Sequence, residues 1–173
     1  MTRIKLRPNL YLDELVDPVT YFTEHDNGLS KLDKSLFDIF QLLRDLYGSS
    51  ISINGWWKHL PEDMTSFNAS DFLKEMANKK VPIWSGYRSE LCTIGASKSA
   101  HKLGKASDPK GDEKKFMQIV RDNASKFYAL GLRRVEDISI TIGWLHMDTE
   151  NRNCKPNSIR VIDKTKSTET IYF

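Results

Sequence analysis

A histidine at 101, an aspartate seven residues later and a second histidine at 146 must be brought to one point if they are to act together. The first two belong to the run Ser99-Ala100-His101-Lys102-Leu103-Gly104-Lys105-Ala106-Ser107-Asp108, and the third to Gly143-Trp144-Leu145-His146-Met147-Asp148. Catalytic zinc sites commonly use three protein ligands and leave the fourth position to water, whereas structural sites are closed by four ligands rich in cysteine. His101, Asp108 and His146 therefore read as an open site for one Zn2+ per chain. Between the first two ligands, Gly104 can turn at positive φ and Ala106 takes little room in a crowded place.

The 173 residues are most simply one domain, with enough chain to bury a core unaided. A hydrophobic fraction of 39% and a charged fraction of 28% describe an ordinary soluble globular protein. Cys92 and Cys154 form no CxxC pair and read as two free thiols of a reducing compartment. The basic N-terminus lacks the apolar core of a signal peptide, and no stretch approaches a membrane span. A net charge of +3 does not by itself point to nucleic acid, and no recognition motif accompanies it. Lys98, Lys102, Lys105 and Lys110 surround the ligands. They read equally as a solvated basic loop and as an attractor of acidic partners.

Residues 1–30 read as an N-terminal arm, extended at first and with a short helix near Val19–Thr23. Leu36, Ile39, Phe40, Leu43 and Tyr47 fall at helical spacing from Asp33, with Gly48 placed to end the helix. Ile51–Asn54 alternates as a strand does. Residues 55–84 read as an insertion holding Trp56, Trp57 and a helix over Ser70–Ala77 with Ser70 or Asp71 near its N-cap. Its role is open between a wall of the cleft and a helical excursion that packs Phe67, Phe72 and Trp84 into the core. Glu90–Lys98 is a loop containing Gly95. Asp112–Leu130 reads as one helix ended by Gly131. Leu132–Asp137 and Ile138–Met147 read as a hairpin delivering His146, with edge strands at Ser158–Ile162 and Thr170–Phe173.

The pattern Ser-x-His-x-x-Gly-x-Ala-x-Asp, preceded by Ser85-Gly86-Tyr87-Arg88-Ser89 and followed by Trp144-Leu145-His146, resembles the zinc D-alanyl-D-alanine peptidase family. That family comprises VanY-like D,D-carboxypeptidases and phage L-alanoyl-D-glutamate endolysins. The resemblance implies an α+β hedgehog/DD-peptidase-like fold, an antiparallel sheet with packed helices and a zinc cleft. It implies His101, Asp108 and His146 as zinc ligands, and Arg88 and Ser99 as binders of a peptidoglycan stem peptide. The planar guanidinium of Arg88 suits a carboxylate because it can pair with both oxygens. It also implies a phage or bacterial setting, cytoplasmic until host lysis or carried by the virion.

One departure concerns proton transfer. Many members place Asp or Glu three residues before the last histidine, where this chain has Gly143. Glu136 is the expected substitute as general base, brought beside Gly143 or Trp144 by the hairpin. Asp148 is the second candidate, since two residues along a strand share a face with His146. An alternative reading follows from Gly143: a metal-binding virion or cell-wall-binding protein that keeps the fold without turnover.

Overall fold

The structure, a computed structural model, describes residues 2–94, 98–163 and 168–173. Gly95 lies outside the described residues. The elements in chain order are β1 (Lys5–Arg7), β2 (Leu10–Tyr11), α1 (Pro18–Glu24), α2 (Ser35–Tyr47), α3 (Ala69–Asn78), β3 (Ala106–Ser107), α4 (Glu113–Asp122), α5 (Ala124–Ala129), β4 (Arg134–Glu136), β5 (Met147–Asp148), β6 (Ser158–Ile162) and β7 (Thr168–Tyr172). Short 3-10 segments fill several of the gaps. The class is α+β.

The long helix α2 exists because its apolar residues recur every three or four positions. Leu36, Ile39, Phe40 and Leu43 are all buried in the core. It ends at Gly48, whose φ of +73° allows its N–H to reach the Arg44 carbonyl. Arg44, on the same helix, is buried and meets Glu14 of the N-terminal arm at 2.6 Å, which fastens the arm to the helix. Phe116, Met117 and Val120 give α4 its buried face, and Asp112 caps it by accepting from the Lys115 N–H at 3.0 Å.

The helix expected over Asp112–Leu130 is two helices. Asn123 adopts φ −125° and ψ 27°, and its Nδ2 donates to the Ile119 carbonyl at 3.1 Å. An asparagine that bonds its own preceding turn competes with the helix ladder. The helix in the 55–84 insertion begins earlier than expected, at Ala69, with Asn68 as its cap, accepting from the Ser70 and Asp71 N–H groups. Trp56 and Phe72 are buried, and Phe67 and Trp84 are partly buried against the same core, so the apolar residues of this insertion build core while its polar ones stay exposed. Trp57 lines a cleft, described below.

One five-stranded sheet has the order β3-β5-β4-β6-β7. Its pairings are antiparallel, as the sequence suggests, except β4 with β6, which run parallel. Ile51–Asn54 makes only an isolated bridge, Ser52 with Lys110, because its flanking backbone groups go to partners outside any strand, the Ile51 carbonyl to Arg44 and the Asn54 N–H to the Glu14 carbonyl. The expected strand Ile138–Met147 shrinks to Met147–Asp148, since residues 138–140 turn and Gly143 bends the chain at φ +78°.

Alternation along these short strands sorts the two faces. Val135, Leu145, Met147 and Val161 are buried in the core beneath the helices. Arg134, Glu136, His146 and Asp148 occupy the opposite face. The candidate site lies on that face, at the β3 end of the sheet.

Candidate metal centre

The register of β3 with β5 explains why residues 108 and 146 meet. Ala106 pairs with Asp148 and Ser107 with Met147, so the next positions along the ladder are Asp108 and His146. Cross-strand neighbours on one face bring their Cβ atoms to about 4.5–5.5 Å. Here His146 Nδ1 lies 2.9 Å from Asp108 Oδ1. Ala106, two residues before Asp108, is fully buried.

His101 arrives from another direction, on a single hydrogen-bonded turn. Lys102 N–H bonds the Ser99 carbonyl at 3.0 Å, Gly104 N–H the His101 carbonyl at 3.1 Å, and Lys105 N–H the Ala100 carbonyl at 2.9 Å. The last two bonds, with Gly104 at φ +67°, are those that close a helix end through a left-handed residue. The spacing His-x-x-Gly-x-Ala-x-Asp is therefore a turn, its closing glycine, and a two-residue strand that puts Asp108 on the site face. Ser99 contributes its carbonyl to that turn and is half-buried.

The segment Ser85–Arg88 lines the turn. The Ser85 carbonyl accepts from Asp108 N–H at 2.6 Å, and Arg88 N–H reaches the His101 carbonyl at 3.2 Å. The Gly86 carbonyl lies 2.7 Å from His101 Nδ1. Gly86 has no room for a side chain, since a Cβ would sit 2.2 Å from the Leu15 carbonyl oxygen.

These bonds fix both imidazoles. His101 Nδ1–H donates to Gly86, so Nε2 faces the cluster. His146 Nε2–H donates to Asp148 Oδ2 at 3.1 Å, so Nδ1 faces it. Asp148 is itself buried and is held by Arg134 Nε at 2.8 Å. An acceptor behind each ligating imidazole is the usual support of a metal site.

His101 Nε2, His146 Nδ1 and Asp108 Oδ1 stand 2.9–3.2 Å from one another. Three lone pairs this close repel unless a cation lies among them. Ligands at about 2.0–2.1 Å from a tetrahedral ion would themselves be separated by about 3.3 Å, so the donor set fits a small divalent ion. His101, Asp108 and His146 thus form a mostly buried group that could hold a metal ion, the one group of its kind among the described residues.

Without a metal, a proton does the cation's work. Burial alone would lower the His146 pKa, but hydrogen bonds to Asp108 and Asp148 outweigh it and push it up to about 10. Burial would raise Asp108, and its bonds to His101 and His146 instead hold it well below the usual carboxylate range. A raised histidine stabilises the metal-free fold fully below its unfolded value near 6.5, and that contribution is lost as pH rises through about 10. Metal binding near pH 7 is therefore expected to release about one proton per ion and to tighten as pH rises. Calorimetric titration in buffers of different ionisation heat measures this; a heat independent of buffer would contradict it.

Arg88 is nearly buried, donating from Nε to the Trp84 carbonyl at 2.8 Å and meeting Asp108 Oδ2 at 3.3 Å. The second oxygen of the proposed ligand is thereby held away from the imidazoles. Glu136 lies directly across β5 from His146, its N–H bonding the His146 carbonyl at 3.1 Å, rather than beside Gly143 or Trp144 as expected. Its carboxylate is half-buried and makes no hydrogen bond or ion pair among the described residues. Asp148 takes the orienting position behind His146 instead of an open one. The Gly143 N–H is met at 3.1 Å by Oε2 of Glu113, from the first turn of α4.

The Gly86 carbonyl and Arg134 are not legible as site residues in the sequence, and Lys110 is legible only as one of four lysines around the ligands. Lys110 follows Asp108 by two positions, is half-buried, and carries its Nζ 4.5 Å over the Trp144 ring. Burial lowers its pKa, opposed by the charge of Asp108 and reinforced by that of Arg88. The signal available in sequence was its place in a lysine-rich run, which also fits a solvated loop.

No match is found among protein-family models, curated proteins or solved structures. Both cysteines are free, and no helix among the described residues is long and apolar enough to cross a membrane.

Proposed function

We propose that the protein is a zinc-dependent peptidase that hydrolyses a peptide bond in bacterial peptidoglycan, of the D,D-carboxypeptidase or L-Ala-D-Glu endopeptidase type. The observation that carries this reading is the convergence of three ligand atoms whose histidines each have the second ring nitrogen tied to an acceptor. Such a centre has three protein ligands and not four, which suits turnover better than a structural role. A zinc ion held by His101, Asp108 and His146 supplies Lewis acidity toward a carbonyl and acidifies a water molecule.

The chain's own residues divide the remaining work. Gly86 and Asp148 set the two imidazole tautomers. Arg134 holds Asp148, and Arg88 with Ser99 binds the stem peptide. Glu136, across the strand from His146, takes the proton from the attacking water and returns it to the leaving amine. The absence of a carboxylate at Gly143 favours the second reading, a metal-binding cell-wall or virion protein without turnover.

Purified peptidoglycan incubated with zinc-loaded protein, with chelated protein and with Glu136→Gln separates the two. Fragment release identified by mass is expected from the first alone. Glu136→Gln should keep its zinc and lose about 10²–10⁴ in rate. No release by protein carrying one zinc per chain would transfer the assignment to the second reading.

A further inference from the structure

Lys110, two residues after Asp108, is a half-buried cation whose purpose the metal centre does not explain. Arg88, assigned above to the stem peptide, already has Asp108 as a counter-charge and the Trp84 carbonyl as an acceptor. Lys110 Nζ has no hydrogen bond or carboxylate partner among the described residues. It is steadied only by the Trp144 ring. Its backbone is fixed on both sides, by its N–H to the Ser52 carbonyl at 2.6 Å and by its bridge to Trp144. The side chain thus leaves a rigid point next to a ligand.

Lys110 also lines a cleft of about 740 Å³ that runs past Ser52 and Asn54 to Tyr11 and Trp57. The two arginines of that wall, half-buried Arg3 and buried Arg44, are neutralised in place, by Asp13 at 2.6 Å and by Glu14 at 2.6 Å. Its carboxylates are likewise occupied, Glu14 by Arg44 and Asp45 by Gln41 at 2.7 Å. Lys58 is exposed at the rim. A half-buried ammonium that lines a polar cleft two residues from Asp108, with no carboxylate in contact among the described residues, favours an anion brought by a ligand.

We infer that Lys110 is a specificity-determining residue: it binds a carboxylate of the substrate that lies in this cleft while the scissile bond reaches the cluster. This rests on the peptidase reading for the identity of the substrate, but not for the binding itself. A peptide offers the shared chemistry from two sources, a C-terminal carboxylate or an acidic side chain.

The test uses zinc-loaded full-length protein and three N-acetylated dipeptides. The first has a free C-terminal carboxylate, the second is its C-terminal amide, and the third is amidated but carries a glutamate side chain. Calorimetric affinities are measured for wild type, Lys110→Met, Lys110→Gln and Lys110→Arg, with zinc content and thermal unfolding as controls. Wild type is expected to prefer one of the carboxylate probes over the amide by about 10–100-fold. The preferred probe names the source. Both neutral variants should bind zinc normally and lose the preference, and Lys110→Arg should keep part of it.

A wild type without preference, or without binding of any probe, overturns the inference whether or not the variants fold. So does a preference that survives in Lys110→Met or Lys110→Gln. A Lys110-dependent preference in a protein that leaves peptidoglycan intact would sink the peptidase reading alone. Peptidoglycan cleavage with an unchanged KM in Lys110→Met would sink this inference alone.

Discussion

Replacing His146 with alanine is expected to weaken zinc binding by about a thousandfold or more, roughly 4 kcal/mol. The proposed centre offers only three protein ligands, so the loss would leave His101 and Asp108, two donors that cannot enclose an ion. The effect extends beyond the lost nitrogen. In the wild type, His146 joins Asp108 on one side and the buried Asp148 on the other. Alanine leaves these two carboxylates facing a gap, each with one arginine, Arg88 and Arg134. Asp148→Asn tests the supporting layer separately. It keeps an acceptor near His146 but removes the charge, and should cost only about 10–100-fold. Competition against a chelator of known affinity reads both. The ranking is the point of the comparison: if His146→Ala binds zinc as well as Asp148→Asn does, Nδ1 is not a ligand and the cluster is a hydrogen-bonded network.

The same ligand set explains what was legible in the sequence. His101 and Asp108 are joined by a local device, a turn closed at Gly104 and a strand of two residues, and local devices leave a fixed spacing. Helix α2 was legible because its apolar stripe spans four turns, and β6 because Ile159 and Val161 alternate with polar residues. What failed was either too short or too remote. Strands β3, β5 and β4 have two or three residues, too few for a period-2 pattern to stand out from a loop. A long hairpin would bring Glu136 near Gly143, but the short β4–β5 register sets it opposite His146. Arg134 and the Gly86 carbonyl serve the site through pairings across 14 or 15 positions, which leave no trace in spacing. Asn123 split a helix whose apolar face continues across the break, since Phe116, Val120 and Phe127 are all buried.

Gly104→Ala is expected to be among the most destabilising single substitutions in the chain, costing about 3 kcal/mol or more and lowering Tm by roughly 6–12 °C. Two costs combine at this position. At φ +67° any side chain is strained, and a Cβ would sit 1.6 Å from the Lys31 carbonyl oxygen and 2.7 Å from its carbon. Neither atom is the end of a flexible side chain. The Lys31 backbone cannot easily retreat, because Asp33 N–H bonds the Gly104 carbonyl at 2.9 Å and Asp33 leads directly into α2. Gly48→Ala isolates the conformational part, since Gly48 has φ +73° but no atom within 4 Å of an added Cβ. That variant should lose only about 1–2 kcal/mol. Gly104→Ala should also bind zinc more weakly, because the glycine closes the turn that aims His101, whereas Gly48→Ala should bind it normally. Thermal unfolding and zinc titration of the pair decide the matter. Equal losses in both variants would mean that the Lys31 carbonyl yields, and that the turn carrying His101 is not held rigid against the start of α2.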